Sequence, residues 1–162
     1  NNIVLASDGS ISRDKRIAFK INAGGSQTIS HAAWPPTKLT GTAEFENHYG
    51  SSNLSSHVFT VPVAGPYLVG CTVAADWGTS GPRDIDDSRI FLNYTPNGGS
   101  QAYSVLSGES RSNPTDDITY LSGSQLKQFA VGDSFHFGYY FGESGATATI
   151  GASSYYWAFL IF

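Results

Sequence analysis

The side chains able to do chemistry are few and scattered. Four histidines, His31, His48, His57 and His136, share no i, i+2 or i, i+4 spacing and have no cysteine beside them. A zinc site built from them is therefore not expected. The single Cys71 lies inside an apolar run at 67–77, where a thiol reads as a small buried hydrophobe rather than a nucleophile. There is no Gly-x-Ser-x-Gly elbow, and Glu44, Glu46, Glu109 and Glu143 show no pattern that sets two carboxyls across a cleft. An enzyme is not expected. The acidic clusters are Asp84-Ile85-Asp86-Asp87 and Asp116-Asp117. Calcium takes several oxygen ligands from carboxylates, carbonyls and water, so Asp84, Asp86 and Asp87 are the candidate metal ligands. The competing assignment is a solvated acidic loop, because the run lacks the spaced ligand ladder of a dedicated calcium loop. No other cofactor is implied.

Recognition is better provided for. Trp34 in Trp34-Pro35-Pro36, Tyr49 in Asn47-His48-Tyr49-Gly50, Trp77 before Gly78, and Tyr103 are stiff contact groups flanked by Ser, Thr, Asn and Gly. Such groups suit a paratope-like surface or stacking on sugar rings. Against this, Trp77 could close one end of the core and Trp34 could pack under its own loop. Asn53-Leu54-Ser55 and Asn93-Tyr94-Thr95 match the glycosylation acceptor pattern, which matters only on a eukaryotic secretory route.

The elements that must carry these groups are strands. Across 162 residues there are 18 Gly, 7 Pro, 3 Trp, 9 Tyr and 10 Phe, a composition suited to one all-β domain large enough for a real core. No window shows helical periodicity. Strands are expected at 17–21, 38–45, 58–63, 67–77, 89–95, 101–106, 118–128, 134–141 and 155–162, with turns at Ala64-Gly65-Pro66, Pro96-Asn97-Gly98-Gly99, Val131-Gly132-Asp133 and 142–145. Residues 1–16 are polar and aperiodic and read as an N-terminal arm or the exit from a stalk. A chain that opens Asn-Asn and has no methionine is expected to be processed or a fragment.

Three strands have legible faces. In 67–77, Tyr67, Val69, Cys71, Val73, Ala75 and Trp77 share one side, and Leu68, Gly70, Thr72, Ala74 and Asp76 the other, small enough for a close neighbour. In 134–141, Phe135, Phe137, Tyr139 and Phe141 form a core face, while His136, Gly138, Tyr140 and Gly142 form a nearly bare one. The closing run Tyr155-Tyr156-Trp157-Ala158-Phe159-Leu160-Ile161-Phe162 is apolar on both sides. An antiparallel strand of this kind needs a second cover, and another copy of the chain is the simplest one. Tyr155, Tyr156, Trp157, Phe159, Leu160 and Phe162 are therefore the expected interface residues. Short strands of this number within one domain imply a jelly roll or related Greek-key sandwich.

The run Phe59-Thr-Val-Pro-Val-Ala-Gly65-Pro-Tyr67-Leu-Val69 resembles the signature of the C1q globular head, in which Phe is followed by Gly-x-Tyr-x-Phe. Leu126–Asp133, ending in Gly-Asp, looks like that family's strand that ends in Gly-Asp before a hydrophobic strand. Trp157–Phe162 resembles its closing strand, and Ile17–Ile21 its opening one. The likeness spans residues 17–162, although Val69 and Cys71 stand where the family usually has aromatics. It implies a ten-strand-type C1q/TNF-like jelly-roll sandwich that forms homotrimers with the closing strand near the three-fold axis, sometimes with calcium at the apex.

Net charge is −4 with no basic stripe, so nucleic acid is not an expected partner. No apolar run is long enough for a spanning helix. The expected role is a non-catalytic trimeric head at a virion surface, as capsid decoration, cement or a fibre's receptor-binding tip, with other virion proteins or a cell-surface receptor or glycan as partners. A secreted C1q-like module binding protein or glycan ligands is the alternative. The expected location is the virion or the extracellular space.

Overall fold

The computed structural model describes residues 4–5, 11–12, 17–25, 27–30, 34–47, 53–78, 84–112, 118–142 and 145–161. Those residues contain strands and no helix. In chain order the strands are β1 (Val4–Leu5), β2 (Ile11–Ser12), β3 (Ala18–Asn22), β4 (Thr28–Ser30), β5 (Thr37–Lys38), β6 (Thr42–Asn47), β7 (Leu54–Ser55) and β8 (Val58–Thr60). They continue with β9 (Gly65–Asp76), β10 (Asp84–Thr95), β11 (Ala102–Ser112), β12 (Ile118–Phe129), β13 (Ser134–Tyr140), β14 (Thr147–Ile150) and β15 (Tyr155–Leu160). Among the described residues β1 and β2 pair only with each other.

The rest form two antiparallel layers. In the back sheet the order is β11-β10-β13-β8-β7, with β5 also on β13. The front sheet is organised by β9. One of its edges pairs along its whole length with β12, from Gly65↔Phe129 to Asp76↔Ile118. Its other edge is shared by β15, from Tyr67↔Leu160 to Thr72↔Tyr155, and by β14 at Ala75 and Asp76. Beyond β15 lie β3 and β6, and beyond β14 lies β4. Consecutive strands thus commonly sit in different layers, as in a jelly roll.

Alternation explains which residues meet between the layers. Tyr67, Val69, Cys71, Val73 and Ala75 of β9 are wholly buried, as are Phe135, Phe137 and Tyr139 of β13 with Phe141 just beyond. The core is an aromatic lattice. Phe135 stacks on Phe129 at 4.8 Å and lies 5.2 Å from Phe59, Phe19 lies 5.0 Å from Phe59, and Phe137 lies 5.1 Å from Tyr156. Each such pair adds about 0.5–1.5 kcal/mol beyond its burial. Trp77 closes one end of this core, 4.8 Å from Phe141, with its indole N–H donated to Thr119 Oγ1 at 3.1 Å.

Three local expectations change. The strand expected at 38–45 is two strands in different sheets. The crossing runs through Leu39, whose N–H bonds Phe137 O at 2.9 Å, to Gly41, where a Cβ would strike the Asn22 backbone. β10 begins at Asp84 rather than 89, and β11 runs on to Ser112, with a register shift between Ile85 and Ser88. The face of β13 expected to be nearly bare is covered: Gly138 is buried, and a side chain there would run into Asn93 Nδ2 and then Pro36. At the turn before β13, Gly132 takes a φ of +86°, and Asp133 accepts from Asn97 N and Ala130 N at 2.8 Å each. Gly-Asp there is a structural lock, with a left-handed residue that favours glycine.

Candidate functional site

Two outward faces of the sandwich expose large apolar or aromatic side chains. On the front sheet, β15 turns Tyr156, Ala158 and Leu160 into the subunit's own core, all buried. This corrects the assignment of Tyr156 and Leu160 to the interface: one face of the closing strand is covered by the subunit's own core, and only the other needs a second cover. Tyr156 and Leu160 are committed internally, and the outward side is Tyr155, Trp157, Phe159 and Ile161. Phe162 lies outside the described residues.

That outward side is organised by register. Phe159 lies opposite Leu68, which lies opposite Leu126 on β12. Phe159 is 40% exposed, Leu126 61% and Ile161 37%, so an apolar row crosses three strands at the surface. Trp157 stacks on Phe159 at 5.4 Å and lies flat over Gly70, whose missing side chain makes room for the indole. The close neighbour expected at the small face of β9 is therefore this ring of the same sheet. Further along, the face becomes polar. Thr72 and Ser122 share a hydroxyl hydrogen bond of 3.0 Å, and Lys20 lies 5.1 Å from the Tyr155 ring centroid while bonding Glu44 at 2.7 Å.

The back sheet's outer face carries the second group. Opposite one another across β10 and β13 are Phe91 and Gly138, Asn93 and His136, and Arg89 and Tyr140; Tyr103 of β11 lies opposite Asn93. The segment Trp34-Pro35-Pro36 folds over this face through a cis Trp34–Pro35 bond. Trp34 lies 4.6 Å from Tyr103, 5.4 Å from Phe91 and 6.2 Å from Tyr140, yet remains 55% exposed. Sequence reasoning thus marked two residues, Trp34 and Tyr103, that the fold brings into contact. Phe91 and Tyr140 were not singled out: no face is legible in 89–95, and Tyr140 stands on the outer side of 134–141 with nothing in the sequence to mark it as a contact group.

Beneath the aromatic cover is a polar pair. Asn93 is buried and contacts His136 Nε2 through Nδ2 at 3.1 Å, while its Oδ1 has no hydrogen-bond partner among the described residues. Burial, with a smaller contribution from the charge of Lys38, pushes the His136 imidazole down to about 4. It is neutral near pH 7, and with the amide donating its Nε2 accepts, so the ring proton sits on Nδ1. His136 was expected on a bare face and is instead part of a packed one. Asn93 was also a formal glycosylation acceptor; its buried amide is closed to that chemistry.

The remaining expected site residues are elsewhere. Trp77 is buried in the core end and is not available as a contact group. Tyr49 lies outside the described residues, as do the side chains of Asp84 and Asp86. Asp87, in a left-handed conformation at φ +65°, pairs with Arg89. Among the described residues no three metal-ligating side chains gather. Cys71 is fully buried and its thiol is pushed far up by desolvation, which removes it as a nucleophile.

No protein-family model matches the sequence, and no curated protein is detectably similar to it. Solved structures are similar in shape. The globular domain of the zebrafish complement 1qA protein superposes with a TM-score of 0.59 at 13% identity, covering 90% of this chain and 98% of that one. Murine APRIL, in a structure at pH 5.0, gives 0.59 at 12% identity over 91% and 100%. The Eiger TNF of S. frugiperda gives 0.62 at 14% over 91% and 94%. The fold is the C1q/TNF-like jelly roll.

With that fold in hand, the roles of the two faces separate. In this C1q/TNF-like sandwich β3, β15, β9 and β12 form a continuous plane with the apolar row at its surface, whereas Trp34 and its partners lie on the far side of the core. Neither group blocks the other.

Proposed function

We propose that this chain is a non-catalytic, homotrimeric recognition head. The observation that carries the proposal is the outward row Phe159, Leu68 and Leu126, with Ile161 beside it, on the sheet that holds the closing strand. Contiguous apolar surface rimmed by polar groups is characteristic of an interface. Three copies meeting around an axis would desolvate this row and leave Tyr155, Thr72, Ser122 and Lys20 at its polar border. The interface contacts in this proposal are Tyr155, Trp157, Phe159 and Leu126; Tyr156 and Leu160 support the strand from inside.

The head is proposed to stand at a virion or fibre surface, as decoration, cement or a receptor-binding tip. Support comes from composition: few lysines, one buried cysteine, and an all-β chain rich in Gly, Ser, Thr and Asn, suited to persistence outside a cell. A secreted, extracellular C1q-like binding module is the second reading, supported by the jelly-roll fold shared with the zebrafish complement 1qA domain and murine APRIL.

Light scattering on the isolated chain tests assembly, and a mass of three subunits at micromolar concentration is expected. A monomer would refute the proposal. Binding of the trimer to purified capsids, set against binding to host cells, then separates cementing from receptor recognition.

A further inference from the structure

We infer that the outer face of the back sheet is a binding site for a neutral saccharide, stacked on Trp34 and bordered by Tyr103 and Tyr140. The inference rests on reading the chain as a recognition head and names the ligand class that head would take. Trp34 leaves 55% of its surface exposed although three aromatic rings lie within 6.2 Å of it. Its orientation is set by Phe91, Tyr103 and Tyr140, so a partner meets a preformed platform and does not have to order a loose side chain.

The chemistry around the platform selects the class. Tyr103 O–H donates to Gln101 Oε1 at 3.2 Å, which places a phenol and an amide at the rim. Asn93 sits buried beside them with Oδ1 unpartnered among the described residues, an acceptor whose lost hydration no hydrogen bond replaces. Among the described residues the cations nearby are engaged: Arg89 with Asp87, and Lys38 with the Ser56 carbonyl at 2.8 Å. An anionic ligand would have to compete for them. A pyranose offers an apolar C–H face and a rim of hydroxyls, which matches an aromatic plane edged by amide and phenol. A flat protein partner would need apolar area of several hundred Å², whereas among the described residues the one highly exposed aliphatic side chain this face adds to Trp34 is Val105, opposite Phe91. The site lies across the sandwich from the apolar row, so each subunit of an assembly would present one.

The test is a glycan array probed with the full chain, followed by tryptophan-fluorescence titration with the best-retained neutral oligosaccharide. Retention of at least one neutral glycan is expected, with affinity falling about tenfold or more in Trp34→Ala and in Tyr103→Ala, and less in Trp34→Phe. On the unaltered chain, the Trp34 indole N–H resonance should shift during the titration, a readout that needs no variant to fold. Three results would overturn the inference: no neutral glycan retained, only charged glycans retained, or binding indifferent to both alanine variants with the Trp34 resonance unmoved. Light scattering on the same samples separates the two proposals. A trimer that binds no saccharide sinks this inference alone; a monomer sinks the trimer reading, whatever it binds.

Discussion

Replacing Leu126 by Glu is the sharpest probe of the front-sheet row. Leu126 projects from β12 opposite Leu68 and is already 61% exposed in the single subunit. A surface substitution of this kind should change subunit stability by no more than about 0.5 kcal/mol. Assembly is another matter. Fully burying a Leu, Ile or Phe side chain is worth about 1.5–3 kcal/mol. Applied to the exposed fractions of Leu126, Phe159 and Ile161, 61%, 40% and 37%, that value gives about 2–4 kcal/mol per subunit on desolvation. Glu at position 126 removes the largest share and places a carboxylate in the seam, where an unpaired charge costs several kcal/mol more. Light scattering across a micromolar dilution series should show the variant as monomers, and urea unfolding should show those monomers folded. Val105→Glu, on the back sheet's outer face, should leave assembly intact. A Leu126→Glu chain that remains trimeric at the parent's concentrations would show that the row is not the seam. Trp157→Asp is a blunter probe, since it also strips the indole from Gly70 and disturbs the sheet itself.

Phe135→Ala should lower stability by about 3–5 kcal/mol, because the ring touches Phe19, Phe59, Phe129 and Phe137; denaturant unfolding at fixed pH measures it. His136 predicts an acid-side loss. Its folded value, about 4, lies below the ordinary 6.5, so the unfolded chain binds more protons between those limits. Stability is then fully present above about pH 6.5 and declines as pH falls towards 4, by about 1–2 kcal/mol once partial exposure of the ring is allowed for. Unfolding at pH 7 and pH 4.5 should show this slope reduced in His136→Gln; an unchanged slope would rule out the histidine. Cys71 should resist a thiol reagent in the native protein and react only on unfolding, which a colorimetric thiol assay in buffer and in denaturant checks.

Much of the fold was legible because the period-two pattern is a local property. Tyr67 to Trp77 and Phe135 to Phe141 declare their buried faces by alternation alone, and Val131-Gly132-Asp133 declares its turn by residue chemistry. The split of 38–45 between two sheets was not legible, because nothing in that run's own pattern shows that Gly41 must pass against the Asn22 backbone. β14 was missed for a related reason: Thr147–Ile150 is short, and it becomes a strand through its partners β9 and β4.

The candidate sites divide the same way. The terminal run's apolar character on both sides could be read directly, and so could the stiffness of Trp34 and Tyr103 as contact groups. Which face of β15 stays outside depended on its pairing between β9 and β3, which turned Tyr156 and Leu160 inward and left Trp157 and Phe159 out. That Trp34 lies 4.6 Å from Tyr103, with Asn93 buried and His136 half-buried beside them, followed from the path of three strands and a crossing segment far apart in the chain. Alternation specifies how each strand divides its own side chains, because pleating is set by the local backbone. Which outward faces become neighbours is decided only when the sheets assemble, because that depends on contacts between residues no local pattern connects.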